Sequence, residues 1–165
     1  TKAHDLGVPV MVDAEESWIQ PAVDELVIHY MKQYNGERAL VYNTAQLYRH
    51  DRLQQLKDAL ALAQKEGFVY GVKIVRGAYM EKERERAAKK GYAEPIQPNK
   101  AATDRDYNAA VDLILNNLDH MEELGLDSSL PIAKAVAEAN ALMGLEAQGS
   151  LAKQVEALLT ELGVL

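Results

Sequence analysis

Three times within its first 90 residues the chain passes from a short apolar run, through a polar corner, into a stretch whose apolar residues recur every three or four positions. Val8-Pro-Val-Met-Val12 leads past Asp13-Ala-Glu-Glu16 into Ile19, Val23, Leu26, Val27, Tyr30 and Met31, and Asn35-Gly36 closes that helix. Ala39-Leu-Val-Tyr42 leads through Asn43-Thr44 into Leu53, Leu56, Leu60, Leu62 and Ala63, stopped by Gly67. Phe68–Val75 leads through Gly77 into the charged helix Met80–Lys90. Successive strand–helix units place parallel strands side by side with crossover helices between them, so the pattern predicts an α/β fold, either a doubly wound sheet or a TIM barrel. The first run is almost wholly apolar, the pattern of a strand covered on both faces.

The flanking segments read more simply. Thr1–Leu6 resembles the end of a helix with Gly7 as its cap, and Gly91–Asn99, with Pro95 and Pro98, reads as a loop. A helix is predicted over Lys100–Leu124, with Tyr107, Val111, Ile114, Leu115 and Leu118 on its apolar side. Beyond a loop at Gly125–Ser129, Leu130–Met143 and Leu151–Leu162 read as Ala/Leu-rich helices, a tail over 121–165. The 165 residues, 48% of them hydrophobic, suit one domain spanning 1–165. The alternating charges of Glu81–Lys90 predict a solvated helix face held by i,i+4 pairs.

Composition narrows the function classes. A net charge of -7 argues against a nucleic-acid binder, which needs clustered cations for the phosphates. The absence of cysteine removes disulfides, thiolate metal sites and a Cys nucleophile. The 4 histidines show no ligand spacing, so no metal site is expected. No apolar run reaches the ~20 residues that span a bilayer, the N-terminus lacks a signal-peptide hydrophobic region, and Thr1 without an initiator Met suggests a processed or excised segment.

Sites of parallel α/β proteins gather at the C-terminal strand ends. Three polar clusters fall there: Asp13 with Glu15 and Glu16, Asn43 with Thr44 and Gln46, and Gly77 with Tyr79. Lys73 stands inside an apolar strand, where an ammonium needs either an ion pair with Asp13 or a glutamate, or a polar ligand. Strand alternation puts Lys73 and Val75 on one face and Val72 and Ile74 on the other, and the same counting predicts that Asp13, Asn43 and Lys73 converge inward. Glu15 and Glu16 also suit acidic capping of the following helix. Gly77 suits either a tight turn or the close approach of a phosphate-bearing ligand, and Tyr79 either a packed ring or a site residue.

Val10-Met-Val-Asp-Ala-Glu-Glu16, Leu40-Val-Tyr-Asn-Thr-Ala-Gln46 and Lys73-Ile-Val-Arg-Gly-Ala-Tyr79, followed by Pro95-Ile-Gln-Pro-Asn-Lys-Ala-Ala-Thr-Asp104 and Tyr107, together resemble successive units of the proline dehydrogenase family over residues 4–120. The resemblance implies a partial or distorted (β/α)8 TIM-barrel-like parallel sheet with flanking helices. It implies bound FAD and oxidation of L-proline to pyrroline-5-carboxylate, with electrons passed to a quinone. By the same resemblance Asp13 and Tyr79 would be catalytic. Lys73 would face the flavin ring and stabilise its reduced anion. Arg76, Gly77 and Ala78 would border the ribityl and pyrophosphate region, and Asn43, standing where some members place glutamine, or Gln46 would hold the flavin edge.

The resemblance also implies a mitochondrial location in a eukaryote, or a cytoplasmic or peripheral inner-membrane one in a bacterium, with membrane contact through segments outside this sequence. The family's Thr-His-Asn strand and its Arg-Arg-x-x-Glu-Asn helix, which clamps the proline carboxylate, do not occur here, and residues 106–165 contain no arginine and only Lys134 and Lys153 as cations. The alternative reading is a non-catalytic α/β fragment or interaction scaffold, whose open sheet edges self-association would cover.

Overall fold

The computed structural model describes residues 2–123. It contains α1 (Lys2–Asp5), β1 (Val10–Met11), α2 (Gln20–Tyr34), β2 (Val41–Gln46), α3 (Arg52–Glu66), β3 (Tyr70–Val75), α4 (Met80–Lys90), α5 (Lys100–Leu115) and β4 (Met121–Glu123). The strands form one parallel sheet in the order β1-β2-β3-β4. A doubly wound sheet reverses its strand order at a switch point, whereas a barrel adds each strand beside the last. The sequential order therefore resolves the two predicted architectures in favour of a barrel arc. Among the described residues no helix is long and apolar enough to cross a membrane.

The core lies on one face of this arc. Val41 and Ala45 of β2, Tyr70, Val72 and Ile74 of β3 and Met121 of β4 meet Val27 and Met31 of α2, Leu56 and Leu60 of α3, and Ala110 and Ile114 of α5. The opposite face carries Thr44, Gln46 and Lys73, with a small cluster of Ala39, Tyr42 and Val69 at its base. Gly71 belongs to that base, where an added Cβ would lie 2.4 Å from the Val41 carbonyl oxygen.

Asn35 does more than stop a helix. It is fully buried; its amide donates to Val41 O (2.8 Å) and Val69 O (2.9 Å), and its carbonyl oxygen accepts from the Leu40 (2.9 Å) and Val41 (2.8 Å) N–H groups. One side chain thus aligns the entries of β2 and β3 with no unused donor.

Four expectations need correction. The first strand is an exposed edge, with Val10 42% and Met11 46% accessible, because β2 is its one partner among the described residues and nothing described covers its other side. The second strand runs on to Gln46, since its polar end is paired residue by residue with β3. The helix predicted over Lys100–Leu124 ends at Leu115; Asn117 turns its side chain back onto Leu113 O (2.8 Å), and Met121 then pairs with Tyr70 in β4. Glu83 of α4 is buried rather than solvated and accepts from the Ser17 N–H (2.5 Å) and hydroxyl (2.6 Å), while Lys82 and Arg84 reach Glu16 and Glu94 instead of i,i+4 partners. The helices predicted at Leu130–Met143 and Leu151–Leu162 lie outside the described residues.

Replacing Asn35 with Ala would leave strand-entry donors and acceptors buried and unpaired. Equilibrium urea unfolding should show Asn35→Ala destabilised by about 3 kcal/mol, and Asn35→Asp, whose second carboxylate oxygen would face the Val41 and Val69 carbonyls in place of the donating amide, destabilised at least as much.

Candidate functional site

β2 and β3 meet in a register that pairs Thr44 with Lys73 and Gln46 with Val75, so these four share the face away from the helices. Lys73 reaches across this face to the Asp13 carboxylate just beyond β1 and makes an ion pair with it. A cleft of about 250 Å³ opens there, lined by Asp13, Glu15, Thr44, Gln46, Lys73, Val75, Ala78 and Tyr79. Of the expected site residues, Asp13, Gln46, Lys73, Ala78 and Tyr79 come together in this cleft.

Hydrogen bonds set its rim. Gln46 donates to Glu15 O (2.8 Å) and accepts from the Ala78 N–H (3.1 Å), which joins the ends of all three strands. The Tyr79 hydroxyl donates to Glu15 Oε2 (2.8 Å), and the Glu15 N–H donates to Gln20 Oε1 (2.9 Å). The bond from the Tyr79 hydroxyl to the Glu15 carboxylate and the Glu15 charge push the Tyr79 phenol up from its ordinary range. Glu16 serves elsewhere: its bond from Lys82 lowers its own carboxyl, and Lys82 and Arg86 lie over the Trp18 ring.

Arg76 and Gly77 line a second cavity of about 400 Å³ on the far side of the corner, with Arg84, Gln97, Lys100 and Thr103. Arg76 donates to Asp104 (2.7 Å) and stands over the Tyr107 ring at 4.6 Å. Arg76 and Gly77 are therefore neighbours of the cleft through Ala78, not part of its lining.

Asn43 does not join the predicted trio. Its register partner is Val72, so the two-residue period turns it to the helix face, where it donates to Asp24 Oδ1 (2.8 Å) and lies 3.5 Å from the Tyr70 hydroxyl. Thr44, the residue beside Lys73, takes the inward place, and Gln46 is the cleft's side-chain amide. Counting strand parity from Asp13 and Lys73 separately gave each face correctly; the missing quantity was the register between strands. The sequence offers Thr44 only as a member of a polar cluster and Glu15 as that or a helix cap; the alternation Thr44–Gln46 is the signal that selects Thr44.

Behind Asn43 lies a buried polar ladder. Gln20 (2.8 Å) and Arg52 (2.7 Å) also donate to Asp24, and Arg52 and Arg49 both bond Asp51. Partial burial pushes the Asp51 carboxyl up, but the bonds from Arg52 and Arg49 outweigh it and hold the group at about 2.

A family model described as proline dehydrogenase matches residues 1–143. The chain belongs to the proline dehydrogenase family. It is 41% identical over 119 residues to proline dehydrogenase 1, mitochondrial, of Homo sapiens, covering 72% of this chain and 20% of that protein. It is 44% identical over 120 residues to the carbapenem antibiotics biosynthesis protein CarD of Pectobacterium carotovorum, covering 72% and 31%. Its fold is similar to that of proline utilization A (PutA) from Bdellovibrio bacteriovorus, with a TM-score of 0.69 at 24% identity over 73% of this chain and 13% of that one. The chain spans about a fifth of the length of the first curated relatives it matches. The family match also runs past residue 120, into the stretch whose relation the motifs alone leave open.

Two outcomes follow from the electrostatics of this family member's site. Glu15→Gln should bring the Tyr79 phenol down to lower pH, read as the phenolate difference absorbance against Tyr79→Phe. Asp51 contributes stability above its unfolded value near 3.8 that is lost as pH falls through about 2. With its side chain 40% exposed, solvent screening leaves this at about 1 kcal/mol. The unfolding free-energy gap between wild type and Asp51→Asn should fade over that window.

Proposed function

We propose that this chain supplies the flavin-facing strands of a proline dehydrogenase, oxidising L-proline to pyrroline-5-carboxylate with FAD as cofactor and a quinone as acceptor. The observation that carries this reading is the cleft at three successive strand ends, with the Lys73–Asp13 pair, Gln46 and Tyr79 on one rim.

The residues present fit FAD. The cleft offers the Lys73 ammonium and the Gln46 amide for the polar edge of a flavin, and the adjoining cavity of about 400 Å³ is lined by Arg76, Arg84 and Lys100, cations that a diphosphate could recruit from their present carboxylate partners Asp104 and Glu94. Lys73, Gln46 and Thr44 would hold the ring, and Arg76, Gly77 and Ala78 the ribityl and phosphate region. When bound, FAD would accept the two electrons that leave the proline ring. Lys73 would sit at the ring's polar edge, where its ammonium would stabilise negative charge on the reduced group, and its pair with Asp13 orients it toward the cleft.

Asp13 and Glu15 offer carboxylates to the secondary ammonium of proline, and Tyr79 frames the cleft while its hydroxyl is held by Glu15. Lys73 is the one cation among the described residues that lines the cleft. The human, Drosophila melanogaster and Caenorhabditis elegans relatives are named mitochondrial proteins, which supports that compartment for a eukaryotic source.

The exposed β1 edge favours a second reading, an interaction scaffold that associates through its open sheet. FAD titration, followed by flavin absorbance, separates the two. The first reading expects binding that Lys73→Met weakens about tenfold, and proline-dependent dye reduction that Asp13→Ala lowers in the longer protein. A chain that takes up no FAD and runs as a dimer by light scattering supports the second.

A further inference from the structure

We infer that Tyr48 is a positioning residue that sets the Gly77–Tyr79 corner between the cleft and the neighbouring cavity. The role in ligand binding rests on the flavin reading above; the corner itself does not. Tyr48 lies two residues beyond β2 and is 1% exposed. Three contacts tie it down. Its N–H donates to Arg76 O (2.6 Å), its backbone carbonyl accepts from the Gln97 N–H (2.6 Å), and its phenol oxygen accepts from the Tyr79 N–H (3.3 Å).

The ring also fills the space beneath Gly77. That residue has φ 140°, a conformation side chains rarely adopt, and a Cβ there would fall 2.3 Å from the Tyr48 ring. The glycine and the tyrosine are thus one packing unit. Gln46, on the same strand end, takes the Ala78 N–H (3.1 Å). The end of β2 therefore holds two consecutive amides of the corner, one through Gln46 and one through Tyr48.

Holding the Tyr79 N–H constrains the direction in which its side chain leaves the backbone, and the bond to Glu15 then fixes the phenol at the cleft rim. It also leaves Arg76, one residue before the corner, lining the cavity on the other side. Arg49, the next residue after Tyr48, is anchored through Asp51 to Arg52, so the segment carrying the ring is itself pinned to the start of α3. Burial pushes the Tyr48 phenol up, consistent with a neutral hydroxyl at this place.

Tyr48→Phe in the full chain keeps the ring and removes the acceptor. The Tyr79 amide should exchange with solvent about tenfold faster, FAD should bind several-fold more weakly, and the melting temperature should stay within about 2 °C. Tyr48→Leu, which also removes the ring, should enlarge both effects.

An unchanged Tyr79 exchange rate in Tyr48→Phe would overturn the proposal. So would exchange that accelerates alike throughout β2 and β3 with a matching fall in melting temperature, the mark of a general fold role. In a wild type that binds FAD, faster Tyr79 exchange with unchanged affinity would also overturn it. If the wild type binds no FAD, the flavin reading falls, and local acceleration at Tyr79 alone decides for the corner.

Discussion

Everything at the site hangs on the register between β2 and β3, in which Thr44 lies beside Lys73 and Asn43 beside Val72. A parallel ladder slipped by one residue would bring Asn43 or Ala45 instead of Thr44 beside Lys73 and turn Thr44 and Gln46 to the helix face. Asn35 opposes that slip by bonding the entries of both strands at once. The close approach at Gly71, which admits no side chain, works in the same direction. With the register held, the two faces of β2 take separate duties.

The helix-side face carries a polar ladder inside an otherwise apolar core. Asn43, Gln20 and Arg52 share Asp24, and Arg52 and Arg49 share Asp51. Leaving any one of these groups without its partner would cost more than the intact network gains, so the set behaves as a unit. Its consequence for the cleft is indirect: it anchors the segment after β2, and that segment carries Tyr48 beneath the Gly77 corner. The inward face carries groups that a ligand can meet, a paired ammonium, an amide and a phenol.

Much of the fold was legible because hydrophobic period is a local property. α2, α3 and α4 and the existence of a strand before each follow directly from it, though not the exposure of β1 or the end of β2, and the motifs at Asp13, Gln46 and Lys73–Tyr79 point to the family that residues 1–143 match. The misses have particular causes. Asn43 was turned to the wrong face because parity within a strand says nothing about register between strands. The burial of Glu83 is not legible because nothing in Met80–Lys90 announces the Ser17 amide and hydroxyl that satisfy it. β4 was read as helix because three residues are too short for a period to appear.

The sequence by itself determined the alternation of strands and helices, the sign of charge at the strand ends and the family, since each depends on neighbours along the chain. Tertiary structure alone decided which of those charges meet. The Lys73–Asp13 pair joins residues 60 apart, the Tyr79–Glu15 bond residues 64 apart, and the Tyr48–Tyr79 contact residues 31 apart. Such contacts form only once parallel pairing brings strand ends to one edge of the sheet: alternation along the chain turns Asp13 and Lys73 to one side and offers Asp13 or a glutamate as partner, and the tertiary structure selects Asp13.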